Sequence, residues 1–173
     1  FSCGKIRFKM TPFPGCYLPH CYCQMCRRFS GAALATWTYC SIDDFEWICD
    51  DGEEKEEPLL VRTSVFGQRH MCPTCACNLT VVYDGEGLVW PAVGCLDDEC
   101  FTESIQTCTD GADATTNPKN NKNRLDAHLK EVAHIFCRTV PVWYRIPSDG
   151  LSQWDALPGG RDRTKPDGNI MIP

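Results

Sequence analysis

Short runs of alternating and apolar residues dominate the pattern of hydrophobic positions along the chain. The clearest run is residues 5–10, where Ile6, Phe8 and Met10 alternate with three basic residues. This period of two predicts a strand with one buried face. Further strands are predicted at 31–40, 59–66, 79–83, 88–95, 132–137 and 140–146. Many short strands with turns between them indicate a mostly β domain whose sheets are mainly antiparallel.

Helical patterns are few and short. Residues 41–47 predict a single helical turn, with Ser41 as its cap and acidic residues directly after it. Residues 124–132 predict a second short helix. The expected fold class is therefore mostly β with few short helices.

The polar segments divide the chain into one domain and a tail. A length of 173 residues predicts one domain, placed here at residues 1–155. A long inserted loop is expected at about residues 97–131, because 109–123 is polar and poor in apolar side chains. Residues 156–173 are rich in glycine, proline and charge, and are expected to lie over the surface.

Charge and hydropathy exclude two classes of partner. The net charge is −6 and the pI is about 5.2, so the sequence predicts no basic face for nucleic acid. No stretch approaches the roughly 18 uninterrupted apolar residues that predict a membrane span. We expect a small-molecule partner, no nucleic acid and no membrane, while the oligomeric state stays open.

Cysteine is the unusual residue type, with 14 cysteines in the chain. Cys21, Cys23 and Cys26 form a C-x-C-x-x-C cluster, and Cys72 and Cys75 form a Cys-Pro-x-Cys knuckle. Neighbours this close rarely form good disulfides, whereas clustered thiolates suit zinc. This spacing favours a reducing, cytoplasmic location, although the sequon at 78–80 favours the opposite.

The spacing leaves two kinds of zinc site open. In one, Cys21, Cys23 and Cys26 hold a catalytic zinc with an exchangeable fourth position, while Cys72 and Cys75 find other partners such as Cys3. In the other, all five clustered cysteines supply one closed structural zinc and a spare thiol. The second arrangement gives a rigid module without a reaction.

Seven motifs in order resemble the glutathione-dependent formaldehyde-activating enzyme family, which also contains centromere protein V. The resemblance covers about residues 1–155. The motifs are CGKIRF (3–8), CYCQMCRRFSG (21–31), ALATW (33–37), CPTC (72–75), GCLDD (94–98), HIF (134–136) and WYRIPSDGL (143–151).

The resemblance implies a fold, two zinc sites and an activity. The fold would be several coiled antiparallel sheets around zinc-binding knuckles. Cys21, Cys23 and Cys26 would carry the catalytic zinc, and Cys3, Cys72 and Cys75 would belong to the structural zinc. The activity implied is carbon–sulfur lyase chemistry that joins glutathione and formaldehyde into S-hydroxymethylglutathione.

Three departures from the family pattern affect these expectations. Phe1 stands where the family has the first structural ligand, so Cys77, Cys16 or a cysteine before Phe1 would have to complete that site, or it is incomplete. Ala76 replaces a glycine after the second knuckle. The long 97–131 segment would make the substrate differ from glutathione if it lies near the site.

Several residues are candidates for supporting roles. Arg27 and Arg28 either bind a substrate carboxylate or form surface ion pairs, and Trp37 either lines the substrate pocket or packs in the core. Asp97, with Asp98, either transfers a proton or caps a turn. His134 is either an acid–base group or a satisfied core histidine, and Trp143 and Tyr144 either wall a pocket or pack.

The functional expectation is a zinc-dependent carbon–sulfur lyase-like enzyme acting on small thiol adducts of the glutathione type or on carbonyl adducts. Two alternatives remain open. One is an enzyme on the same scaffold redirected to another small molecule of specialised metabolism. The other is a non-catalytic zinc-binding interaction module.

Overall fold

The fold is seen in a computed structural model, which describes residues 3–11, 17–48, 56–97 and 131–158. Strands dominate these ranges, which also contain one α-helix. The strands are β1 (Arg7–Met10), β2 (Tyr17–Cys21), β3 (Ala35–Thr36), β4 (Cys40–Ser41), β5 (Phe45–Ile48), β6 (Leu59–Arg62), β7 (Gly67–Met71), β8 (Asn78–Tyr83), β9 (Leu88–Pro91), β10 (Glu131–Ile135) and β11 (Ser152–Gln153), and the helix is α1 (Gln24–Ser30).

The strands form three sheets. β1 pairs with β5, and a five-stranded sheet has the order β4-β9-β8-β7-β6; both are antiparallel throughout. The third sheet has the order β11-β10-β2-β3 and is mixed, because β10 runs parallel to both β2 and β11. The prediction of a mostly β fold with several sheets and few short helices is confirmed. The two parallel pairs, β10 with β2 and β10 with β11, are the exception to antiparallel pairing. A tight hairpin turn makes its two strands antiparallel, whereas the strands of these pairs are too far apart in sequence to be joined by one.

Two local predictions are confirmed by burial and capping. In β1 and the residue before it, Ile6 is buried while Arg7 and Lys9 are exposed. The helical turn predicted at 41–47 is confirmed only at Ile42–Asp44, a 3-10 helix in which the Ser41 hydroxyl accepts a hydrogen bond from the Asp43 backbone N–H. Residues 45–47 belong to β5. Both features depend on residues that are close together in the sequence, so they can be predicted from it.

Other local predictions are wrong. Residues 31–40 form two short strands rather than one, because Gly31 ends α1 in the left-handed conformation. Residues 140–146 form no strand, and Val142 and Trp143 are exposed. The helix predicted at 124–132 lies outside the described residues, except that its last two residues belong to β10.

Strand β8 contributes to two clusters of the core. Val81 packs in a cluster with two of the C-x-C-x-x-C cysteines. Leu79, which has no partner in the register with β7 at a β-bulge, packs in a cluster that contains Cys72. One strand therefore supports both cysteine groups. Within the described ranges, no helix is long and apolar enough to cross a membrane.

Candidate metal centre

Cys21, Cys23 and Cys26 lie together and are called the helix triad here. Their sulfur atoms all lie within 4.8 Å of one another. Cys21 is the last residue of β2, and Cys23 is the N-cap of α1. The Cys23 sulfur accepts a hydrogen bond of 3.4 Å from the Cys26 backbone N–H. The turn from strand to helix thus gathers all three thiols from one short segment. Cys21 and Cys26 are buried, and Cys23 is half-buried.

Hydrogen bonds within the helix triad divide its charge unequally. Contacts with the Cys21 and then the Cys26 thiol lower the pKa of Cys23 to about 3. Contacts with the Cys23 and then the Cys26 thiol, together with burial, raise the pKa of Cys21 well above its ordinary value. Within the triad, negative charge is therefore favoured on the Cys23 sulfur.

A fully buried arginine lies against the helix triad. Arg69 of β7 is 0% exposed, and its Nη2 lies 3.6 Å from the Cys26 sulfur. Its Nη1 donates to the Thr63 hydroxyl at 2.5 Å, and the guanidinium lies 5.0 Å from the centroid of the Phe29 ring. The sequence analysis missed Arg69, because nothing in the polar stretch around it indicates that this arginine is buried.

Two buried N–H groups beside the triad have no hydrogen-bond partner among the described residues. They are Nε of Arg69 and Nε1 of Trp37. The Arg69 guanidinium lies 6.0 Å from the Trp37 ring centroid, and Trp37 packs in the same cluster as Cys21 and Cys26. Buried donors without a partner are costly, so their presence next to three thiols marks this region as more than a packed core.

The predicted acid–base residue His134 is buried, and its chain of polar contacts reaches the surface at Asp149. His134 is 1% exposed, with Nδ1 3.0 Å from the Tyr22 hydroxyl and Nε2 3.1 Å from the Asp149 carboxylate. A backbone N–H from Leu151 and then the His134 contact hold the pKa of Asp149 below its usual value. Tyr22 stands between two of the triad cysteines, so this chain fixes the segment that carries them. The sequence analysis missed both Tyr22 and Asp149.

The other predicted site residues are placed less closely together. Arg27 is half-buried, and its Nε donates 3.0 Å to the Tyr22 carbonyl oxygen. Arg28 and Asp97 are exposed. Trp37, at 4% exposure, is a core residue that touches the triad cluster. Asp98 lies outside the described residues.

The second group of thiols joins distant parts of the chain and is called the bridging triad here. It consists of Cys3, Cys72 and Cys75, whose sulfur atoms also lie within 4.8 Å of one another. The Cys3 and Cys72 sulfurs are 3.5 Å apart. Cys3 is exposed, Cys72 is buried and Cys75 is half-buried.

The knuckle that carries Cys72 and Cys75 is a tight backbone turn. The Ala76 N–H donates to the Cys72 carbonyl at 2.9 Å, and the Cys72 N–H donates to the Cys77 carbonyl at 3.0 Å. Ala76 has a φ of +57°, a left-handed conformation in which glycine is more comfortable. The alanine that departs from the family pattern therefore occupies a position where the backbone favours glycine.

Cys77, one of the proposed replacements for the first structural ligand, does not join the bridging triad. Among the described residues, no fourth donor group lies within the same mutual distance. The Cys77 sulfur instead lies 3.7 Å from that of Cys95, whose thiol donates to the Asn78 carbonyl at 3.0 Å. Burial raises the pKa of Cys95 to about 12. Cys16 lies outside the described residues.

Both triads fit a metal ion in their donor chemistry. Three converging thiols, which bind as thiolates, suit a soft or borderline divalent cation. Either triad could thus hold one ion through three protein ligands.

The chain matches the model of one protein family over most of its length. The model of the family described as glutathione-dependent formaldehyde-activating enzyme matches residues 2–139. A crystal structure of a Rhodobacter sphaeroides protein is similar at a TM-score of 0.47 and 17% identity, covering 57% of this chain and 85% of that one. No curated protein gives a significant match. Because the family model spans well over half of the sequence, the chain belongs to the glutathione-dependent formaldehyde-activating enzyme family.

Proposed function

We propose that the chain is a zinc-dependent enzyme of the carbon–sulfur lyase type that acts on small thiol and carbonyl adducts. Membership of a family named for glutathione-dependent formaldehyde activation supports this proposal. The observation that carries it is the buried helix triad with Arg69 and the unpartnered Trp37 N–H beside it. A purely structural metal site needs its ligands but has no use for unpaired buried donors next to them.

We propose zinc as the metal because clustered thiolates in a non-redox setting favour it. Cys21, Cys23 and Cys26 would hold it at the helix triad, and Cys3, Cys72 and Cys75 would hold a second, structural zinc. At the helix triad the ion would supply Lewis acidity and lower the pKa of a bound thiol.

The proposed reaction adds a thiol to formaldehyde. The sulfur of glutathione forms a bond to the carbonyl carbon, and the thiol proton ends on the former carbonyl oxygen, which gives S-hydroxymethylglutathione. The same residues serve the reverse cleavage. No redox partner is needed, because the electrons of the carbonyl π bond become the new O–H bond.

The chain's own residues would position and balance the charge of the reactants. Trp37 contributes its N–H to the wall beside the thiols, and Arg27 is a candidate for binding a substrate carboxylate with the N–H groups not used on Tyr22. His134 would act as a positioning residue through Tyr22 rather than by touching the substrate. Asp97 remains a candidate for proton transfer because its carboxylate is exposed.

We also propose a single domain at about residues 1–155, with an insertion at about 97–131 and a separate tail at 156–173. The clustering of the thiols in two triads, which suits metal binding better than disulfides, supports a reducing, cytoplasmic location.

The test is the rate of exchange between free formaldehyde and its glutathione adduct, measured by NMR with carbon-13 formaldehyde. The zinc-loaded protein should accelerate the exchange, and the Cys23→Ala variant should not. Cys137→Ala is the matched control, because Cys137 is a half-buried thiol outside both triads. No acceleration by the zinc-loaded wild type, or equal acceleration by Cys23→Ala, would refute the proposal.

A further inference from the structure

Arg69 carries a positive charge that is completely shielded from solvent. Its polar contacts are the Thr63 hydroxyl and the Cys26 sulfur, and its guanidinium faces the rings of Phe29 and Trp37. Within the described part of the chain, no carboxylate forms an ion pair with it. Arg62, on the neighbouring strand β6, instead pairs with Asp84 at the surface.

A buried cation without a counter-charge is strongly unfavourable, so the negative partner of Arg69 has to be near. The rings of Phe29 and Trp37 supply only a partial, quadrupolar attraction. The Cys26 sulfur is the contact that can carry a negative charge. Three thiolates around a divalent cation have a formal charge of −3 + 2 = −1, which one guanidinium balances.

We infer that Arg69 is the counter-cation of the metal centre at the helix triad, and that it favours an anionic ligand over a neutral one at that metal. The inference rests on the proposed metal binding at this triad. The metal, its three thiolates and Arg69 together have a charge of zero with a neutral fourth ligand and −1 with an anionic one. Without Arg69 the charge is −1 with the neutral ligand and −2 with the anionic one. A charge of −2 is strongly unfavourable in a buried site.

This role makes Arg69 a positioning residue that selects the ligand class, and thiolates and carboxylates belong to the favoured class. A purely structural Arg69 would behave differently. If Arg69 only filled space, an apolar residue of similar volume would fill the same space and leave metal affinity unchanged.

The first measurement is the affinity of the whole protein for cobalt, which reports on the site through its absorption bands. The variants are Arg69→Met, which removes the charge, and Arg69→Lys, which keeps it. Competition with a chelator should show cobalt bound to the helix triad about 10- to 100-fold more weakly in Arg69→Met. Arg69→Lys should recover part of the loss. Arg62→Met is the matched control and should behave as the wild type, because Arg62 is exposed and paired with Asp84.

The second measurement separates charge from shape by titrating the cobalt protein with azide, an anion, and with imidazole, a neutral ligand. Arg69→Met should weaken azide binding by about tenfold and leave imidazole binding unchanged, since only the anionic state loses its counter-charge. An unchanged ratio of the two affinities would overturn the inference, and so would equal weakening of both ligands. If Arg69→Met does not fold, the same ratio in Arg69→Lys should stay near that of the wild type while Arg69→Gln lowers it.

The outcomes distinguish this inference from the proposed function. A wild-type protein whose helix triad binds no cobalt overturns both. Cobalt bound at the triad with an unaltered azide preference in Arg69→Met overturns only the role of Arg69. Normal anion selectivity without exchange of formaldehyde overturns only the proposed reaction.

Discussion

The two cysteine triads offer the same ligands at the same mutual distance but are built in opposite ways. The helix triad comes from one segment, at the end of β2 and the start of α1, and is largely buried. The bridging triad joins Cys3 to Cys72, which are 69 positions apart, and leaves Cys3 exposed. The type of ligand alone therefore does not distinguish a catalytic metal site from a structural one.

The surroundings separate the two triads. A buried cation and two unpartnered N–H groups lie beside the helix triad. The bridging triad is flanked by solvent-exposed contacts, in which Glu56 accepts from Lys5 at 2.8 Å and from Thr74 at 2.5 Å. Exposed contacts of this kind add little stability and leave no charge in need of balance. We propose reaction at the helix triad and fold stability at the bridging triad, and four variants test that division.

The largest expected effect is on turnover in Cys23→Ala. Removing this ligand should lower turnover by about a thousandfold or more, because metal-assisted charge stabilisation contributes several kcal/mol. Metal content should fall by one ion per chain, while the protein stays folded by circular dichroism. Full turnover in this variant would contradict the assignment of chemistry to the helix triad.

Cys72→Ala should act mainly on stability. Losing this buried ligand of the bridging triad should lower the free energy of unfolding by about 3 kcal/mol or more, because metal binding at such a site is part of the folding energy. Cys40→Ala is the control, since Cys40 is a fully buried thiol outside both triads. Denaturant titration measures both variants. Equal losses would mean that no metal contributes at the bridging triad.

Ala76→Gly should stabilise the knuckle of the bridging triad. Because φ is +57° at Ala76, glycine relieves backbone strain and should raise the free energy of unfolding by about 1 kcal/mol. Ala32 is also exposed but is not among the residues with positive φ, so Ala32→Gly should give a small decrease. A decrease in both variants would show that the left-handed conformation carries no strain.

Asp149→Asn should have the smallest effect, and that effect should depend on pH. The pKa of Asp149 lies below its ordinary value of 3.8 in the folded protein, so its contribution to stability is present above that value. The contribution is lost as the pH falls through the folded pKa. The difference in unfolding free energy between wild type and variant should therefore be largest near neutral pH and shrink below about pH 4.

Asp84→Asn is the control for that titration, because the pKa of Asp84 is also lowered, by its pairing with Arg62. Both variants should lose their difference from wild type in acid. Only Asp149→Asn should also shift the NMR signals of the His134 ring, which touches Asp149. An unaltered His134 spectrum in Asp149→Asn would contradict the polar chain that supports the helix triad.

Local patterns were readable from the sequence, and long-range ones were not. The alternation before and within β1 and the Ser41 cap depend on near neighbours, so they were predicted. Helix α1 was not predicted, because the cysteines around its start were interpreted only as metal ligands. The apolar stretch at 140–146 looked like a strand, but nothing in it indicates whether a sheet edge is available to pair with.

The candidate site shows the same limit. The helix triad was predicted because its three thiols are close in sequence. Arg69 was not predicted, because arginine is rarely buried and only the fold shows which groups surround this one. The union of Cys3 with Cys72 and Cys75 was expected from family resemblance, because no spacing rule connects residues so far apart.

The separation of 69 positions between Cys3 and Cys72 also bears on the order of assembly. Thiols six positions apart or closer meet by closing a short loop, which is fast and costs little chain entropy. The bridging triad can form only after about the first half of the domain, through Cys75, has been made. A chain emerging from the ribosome completes the segment of the helix triad before Cys72 has been made, so the ion with a proposed chemical role can be captured before the bridging triad forms.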